Sequence, residues 1–226
     1  MTQTAPTLYF APHSCARVPL IALEEIGQPY ELRLVAFMAG EHRAPEFLAV
    51  NPSGKVPALI VEGRALAQNT AILHYLARAY PDAKLLPPAA DALDEARLIA
   101  ELARFSGDLH PLVTRIRMPQ MFTALPEGIA DVRAKGCETI AFHMTGIEAR
   151  LAAHDWYLDS GWSALDIYLF WVWFRITGAG FDAAPYPHIS RHHTAMLARP
   201  SVRRALDREA GLIADLDARG LSVPMR

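Results

Sequence analysis

Strand signals alternate with helix signals up to about residue 83 of this 226-residue chain, and then strand signals stop. Thr7–Phe10 reads as a buried strand. Cys15–Ile26 follows with Val18, Ile21, Ala22 and Ile26 at helical spacing, closed by Gly27. Tyr30–Phe37 alternates with period two, and Gly40–Val50 is a short, weaker helical piece. Pro57–Glu62 and Ala65–Ala67 flank a Gly63-Arg64 turn, and Asn69–Tyr80 is an amphipathic helix with Asn69 as its expected N-cap, ended by Pro81. The order βαβ, helix, hairpin, helix demands one open sheet with a parallel pair and an antiparallel edge. Beyond the Pro/Ala stretch Leu85–Ala92, the periodic segments are Leu93–Phe105, Val113–Phe122, Gly128–Ala153, Ala164–Ile176, Ile189–Ala198 and Val202–Leu216, all helical. The expected organisation is an α/β domain over 1–83, a linker over 84–92 and an all-α domain over 93–226.

The formal charge of −2 and the spread of the arginines point away from nucleic acid and from anionic membranes as partners. Two distant cysteines, Cys15 and Cys137, make neither a disulfide framework nor a zinc pattern. MTQTAPT lacks the basic and apolar regions of a leader, and the most apolar window, Ile167–Ile176, is too short to span a bilayer. These features predict a cytoplasmic protein that binds no metal. Spacing alone would allow His188, His192 and His193 as metal ligands, but no acid or cysteine joins them, and a solvated helix start is the expected reading.

Three stretches carry groups able to do chemistry. In "PHSCA", His13, Ser14 and Cys15 fall where a strand hands over to a helix, a position whose free amides and dipole stabilise anions and lower cysteine pKa values. A buried free cysteine is equally common as a small core hydrophobe. In "NPSGKVPAL", Pro57 opens a strand, either as simple punctuation or with a cis bond that exposes the backbone of Val56 to β-type pairing. In "LAQNTAILHYLA", Gln68, Asn69 and Thr70 enter a helix, as plain caps or as a carboxylate site.

Taken together and in order, these stretches resemble the cytosolic glutathione transferase superfamily. "NP.GKVPAL" followed by "AIL.YLA..YP" resembles its N-terminal signature, and "LYF.PHSCA…IALEE.G.PYE" the opening of the bacterial, beta-like classes. "SALDIYL" (Ser163–Leu169) resembles its Ser/Thr-x-x-Asp capping box and "LARPSVRRAL" its last-helix motif. The resemblance implies a thioredoxin-like domain followed by a helical domain, usually as a homodimer, with glutathione as cosubstrate. It implies Ser14 or Cys15 as the group that steadies a sulfur anion, with His13 behind them. It implies His13, Val56 beside a cis-Pro57, Lys55, Gln68 and Asn69 as glutathione contacts. It places an electrophile site against Phe105, His110, Met118, Trp171, Phe174 and Arg175, with the aromatic run Tyr168–Phe174 mostly core and Asp166 a structural cap. Gln68 departs from the usual acid, so a carboxylate from Leu93–Phe105 of a partner copy (Asp94, Glu95 or Glu101) is the expected match for glutathione's ammonium. Ala16 replaces a hydroxyl residue. The activity implied is transfer of glutathione to a small apolar, aromatic electrophile. Thioether cleavage or thiol-disulfide reduction through Cys15 is the alternative, and a non-catalytic binding module the reading from another class.

Overall fold

The computed structural model describes residues 5–221, which form two compact units. The expected outer limits at 1 and 226, and the stretch MTQT, lie outside the described residues.

The first unit holds a four-stranded sheet in the order β2-β1-β3-β4. Strands β1 (Thr7–Phe10) and β2 (Glu31–Leu34) are parallel, with Thr7 opposite Glu31. Strand β3 (Ala58–Val61) lies antiparallel to β1 and turns through Glu62-Gly63 into β4 (Arg64–Ala67). Both turn residues have positive φ, the geometry that lets a two-residue hairpin follow the twist of its strands. Leu8 and Phe10 of β1 are fully buried while Tyr9 is half-buried, the period of two made visible. Helix α1 (Arg17–Ile26) ends at Gly27 in the left-handed conformation. Helices α2 (Pro45–Val50) and α3 (Asn69–Ala79) complete the sheet's surroundings.

A strong departure from the sequence expectation is the assignment of the last helix. The described stretch from Arg199 to Leu221 belongs with the sheet unit, not with the helices before it. Its helix, α9 (Pro200–Ala218), packs on α1 and is bound to it by charge. Glu24 of α1 accepts from Arg204 Nε at 2.8 Å, Arg208 Nε at 2.5 Å and the Tyr30 hydroxyl at 2.5 Å. Arg199 reaches Glu25 at 2.6 Å. Periodicity identifies a helix but does not say which neighbour its face meets.

Glu24 is only 4% exposed. Burial raises its pKa, but the hydrogen bonds from Tyr30, Arg204 and Arg208 outweigh this and hold it below the ordinary 4.5. A carboxylate with a depressed folded pKa stabilises the fold above its unfolded value and loses that contribution as pH falls through the folded one. Glu24→Gln should therefore lower the melting temperature at neutral pH, and the gap from the parent should close on acidification below about pH 4.5. Melting curves across that range check it; a gap that stays constant or widens contradicts the assignment.

The second unit is helical. Its segments are α4 (Ala92–Arg104), one π-helical turn over Phe105–Leu109, α5 (His110–Arg117), α6 (Gly128–Ala153), α7 (Ala164–Thr177) and α8 (Pro187–Ala198). The sequence predicted a break between Phe105 and Val113, but the π turn carries the helix through it. Helix α7 is buried on all sides from Ala164 to Trp173, as expected of a helix apolar all round. Ser163 and Asp166 form the capping box that the sequence led one to expect. Asp166 does more: it accepts from Tyr157 N, Ser163 N and His192 Nε2, each at 2.8 Å. His192 is thus buried, contrary to the solvated position expected for it. No described helix is long and apolar enough to cross a membrane.

Candidate functional site

The stretch after β1 does not run straight into a helix. Ala11 to Ala16 form a tight turn, and α1 begins at Arg17, two residues later than the spacing suggested. The first helical amides are already used: Arg17 N donates to Ser14 O and Val18 N to Cys15 O, both at 3.1 Å. The simple picture of free helix-start amides around Cys15 is corrected accordingly. Pro19 fits this geometry, since an early helical position needs no N–H.

The turn separates the two sulfur-steadying candidates. The Ser14 hydroxyl donates to Ala11 O at 2.6 Å, and its oxygen accepts from Ala16 N at 3.2 Å. It is a local cap. The Cys15 thiol lies 3.5 Å from the carbonyl oxygen of Val56, across the unit. Val56 precedes β3 by two residues and stands outside the sheet's register, and its bond to Pro57 is cis. Cys15 and Val56 are therefore brought together, while Ser14 is turned into the loop.

His13 opens this turn at φ 62°, a conformation that costs a non-glycine residue about 1–3 kcal/mol. Its amide donates to a Glu209 carboxylate oxygen at 2.5 Å, and the same carboxylate takes Arg17 Nε at 2.7 Å and Nη2 at 3.0 Å. All three residues are buried. The sequence reading passed over Glu209. A signal for it exists: it lies on the stripe Val202, Ala205, Glu209, Leu216 that α9 buries, where an acid is out of place unless paired.

The loop before Val56 is built on Asn51. Its Nδ2 donates to Lys55 O at 2.6 Å, and its Oδ1 accepts from Ser53 N and Oγ at 3.2 and 2.8 Å. Gly54 sits at φ 62°, where a Cβ would stand 3.0 Å from His42 O, so glycine is required. Lys55 and Gln68 are exposed, and Gln68 holds φ 70°. Asn69 is not the cap of α3 that was expected. It is buried, and its Nδ2 donates to Cys15 O at 3.0 Å, a second support for the turn.

In the helical unit, His110, Tyr168 and Trp171 form one cluster. His110 Nδ1 is 3.2 Å from the Tyr168 hydroxyl, and its ring meets Trp171 edge-on at 4.6 Å. Phe105, offered as a site residue, is fully buried and stacked on Tyr168, which makes it part of the core. Met118 is exposed just after α5, and Phe174 and Arg175 are half-buried in the last turns of α7. The π turn sits directly before His110, a kind of distortion that recurs at functional positions. Of the acids considered for a partner copy, Glu101 accepts from the Tyr157 hydroxyl at 2.6 Å and Asp94 pairs with Arg97 at 3.1 Å. The three histidines of "HISRHH" diverge: His188 meets Glu148 at 2.7 Å, His192 meets Asp166, and His193 stacks on Phe170.

The chain is similar to known proteins over most of its length. The glutathione S-transferase N-terminal domain family matches residues 5–78. Glutathione S-transferase GST-4.5 of Xanthomonas campestris is 30% identical over 206 residues, covering 89% of this chain and 98% of its own. A maleylacetoacetate isomerase of Pseudomonas aeruginosa is 30% identical over 200 residues, covering 87% and 92%. Among solved structures, a glutathione transferase homologue from Sulfitobacter with bound glutathione has a TM-score of 0.80 at 31% identity, over 90% of this chain and 98% of its own. A sphingomonad glutathione S-transferase complexed with glutathione gives 0.79 at 32%, with the same coverage. With the thioredoxin-like sheet, the cis-proline and the cysteine turn assembled in one unit, and with relatives matched over nearly their whole length, the chain belongs to the glutathione S-transferase family.

Proposed function

We propose that this enzyme binds glutathione on its sheet unit and activates the thiol through Cys15 rather than Ser14, for attack on a small apolar, aromatic electrophile. The observation that carries this is the division of labour in the turn. Ser14 gives its proton to Ala11 O in a short 2.6 Å bond inside the turn, while the Cys15 thiol donates to Val56 O over 3.5 Å, a long bond at the glutathione edge that a bound sulfur could take over. Val56 is the strand-like edge on which the cysteinyl part of glutathione would pair. Lys55 would take the glycyl carboxylate and Gln68 the γ-glutamyl end, with no charge offered to the ammonium there. A donor at Cys15 favours the thiolate over the thiol, and that thiolate forms the new C–S bond as the electrophile's leaving group departs. The glutathione bound to the Sulfitobacter and sphingomonad proteins supports the choice of cosubstrate.

In a conjugation assay with an aromatic halide, Cys15→Ala should lower kcat/KM about tenfold, the loss of one directed hydrogen bond to a charged group. Ser14→Ala should act mainly on stability, costing about 1 kcal/mol as lost hydrogen bonds of the turn. The reverse pattern, or no glutathione binding at millimolar concentration by calorimetry, overturns the reading.

The same thiol favours a second reading, glutathione-thioether cleavage or disulfide reduction, in which Cys15 attacks and a second glutathione releases it. Abolition of cleavage by Cys15→Ala, with conjugation only reduced, would select it.

A further inference from the structure

We infer that Glu209 is a positioning residue, holding the turn that presents Cys15 through the backbone amide of His13. The inference rests on the reading of Cys15 as the sulfur-handling group and adds what sets its place.

Glu209 is 2% exposed and lies on α9, 196 residues along the chain from His13. A buried carboxylate is tolerated only when its lone pairs are taken, and here they are. Arg17 binds it in fork geometry through Nε and Nη2, and His13 N fills the remaining direction at 2.5 Å. The His13 ring is drawn into the same group, with Nδ1 3.5 Å from the carboxylate and 3.4 Å from Arg17 Nη2.

Joining α1 to α9 does not by itself require the bond to His13. The same two helices are tied elsewhere by Glu24 with Arg204 and Arg208, and that tie makes no hydrogen bond to the turn. Glu209 differs because one of its three bonds leaves the helices and ends on a left-handed, non-glycine residue. Such a residue keeps its conformation only when the surroundings over-determine it. Two positions later the Cys15 thiol meets Val56. If His13 relaxed toward negative φ, the peptide planes between it and Cys15 would rotate, and the thiol would leave Val56. The carboxylate's bonds go to Arg17 and to His13, not to the thiol or Val56, so its effect on the thiol passes through the turn.

The test separates the acceptor from the charge. Arg17→Met with Glu209→Met removes the buried ion pair whole, so no charge is stranded, but it leaves His13 N without an acceptor. Arg17→Met with Glu209→Gln also removes both charges, yet the Gln carbonyl can still accept from His13 N. The first pair should lose at least about tenfold in kcat/KM for glutathione at temperatures well below its melting point. The second should recover to within about threefold of the parent. Iodoacetamide alkylation of Cys15, in a Cys137→Ala background and without glutathione, reads the turn directly. Its rate should change in the Met pair and match the parent in the Gln pair. Equal behaviour of the two pairs in both assays overturns the role of Glu209. If Cys15→Ala leaves conjugation intact, the reading of Cys15 fails, and the alkylation comparison still decides the anchor. Hydrogen exchange on the parent needs no variant: the His13 amide should exchange as slowly as the core amides of α1, and exchange at loop rates overturns the inference.

Discussion

Asp166→Ala is expected to cost about 3–5 kcal/mol, enough to unfold much of the helical unit at physiological temperature. The side chain is fully buried, and it satisfies four groups at once: the amides of Tyr157 and Ser163, the Ser163 hydroxyl and Nε2 of His192. A carboxylate only accepts, so the His192 tautomer facing it carries its proton on Nε2. Alanine strands every one of these donors in a dry interior, where each unmade bond carries its desolvation cost. The Trp156 ring stands edge-on to His192 at 5.7 Å, so loosening should reach the segment before α7. His192→Ala should cost less, since it leaves Asp166 with its three other donors. The double variant should fall short of the sum, because the two side chains share one bond. Denaturant melts followed by tryptophan fluorescence measure this; strict additivity would mean that the pair does not act as a unit.

Asn51→Ala should raise KM for glutathione roughly tenfold and lower stability by about 2–3 kcal/mol, with a smaller effect on kcat. Asn51 is 6% exposed and makes three hydrogen bonds within the loop it begins. Two are to Ser53 and one is to the carbonyl of Lys55, the residue before Val56. With them gone, Lys55 and the Val56 backbone lose their fixed placement beside the Cys15 thiol. Ser53→Ala removes only one of these bonds and serves as the comparison, with an expected effect on KM within about twofold. Initial rates over a range of glutathione concentrations check it. An unchanged KM for Asn51→Ala would show that the loop's geometry does not depend on this side chain.

Much of this was legible in the order of residues, because the relevant physics is local. The period of two in Thr7–Phe10, the helical spacing around Ile21, the hairpin with its glycine and the capping box at Ser163 each depend on residues within a few positions. The stretches with chemistry were also legible, since "PHSCA" and "NPSGKVPAL" carry unusual groups next to conformational punctuation. The spacing sets the start of α1 two residues too early because a 3-10-like turn offers carbonyl acceptors to the first helical amides, and such a turn leaves no periodic trace. Asn69 reads as a cap in the sequence because its side chain's partner, Cys15 O, is 54 positions away.

What the residue order determined by itself was the set of elements, their sequence along the chain and the short list of groups that can handle sulfur. What only the tertiary structure decided was which of those groups meet. It turned the Ser14 hydroxyl onto Ala11 and the Cys15 thiol onto Val56. It brought α9 back to the sheet unit, so that Glu209 could reach His13, and it buried His192 against Asp166. The physical reason is the same in each case. Propensity and periodicity act between near neighbours, whereas a buried hydrogen bond or ion pair is specified by whichever distant group can satisfy it once water has been excluded.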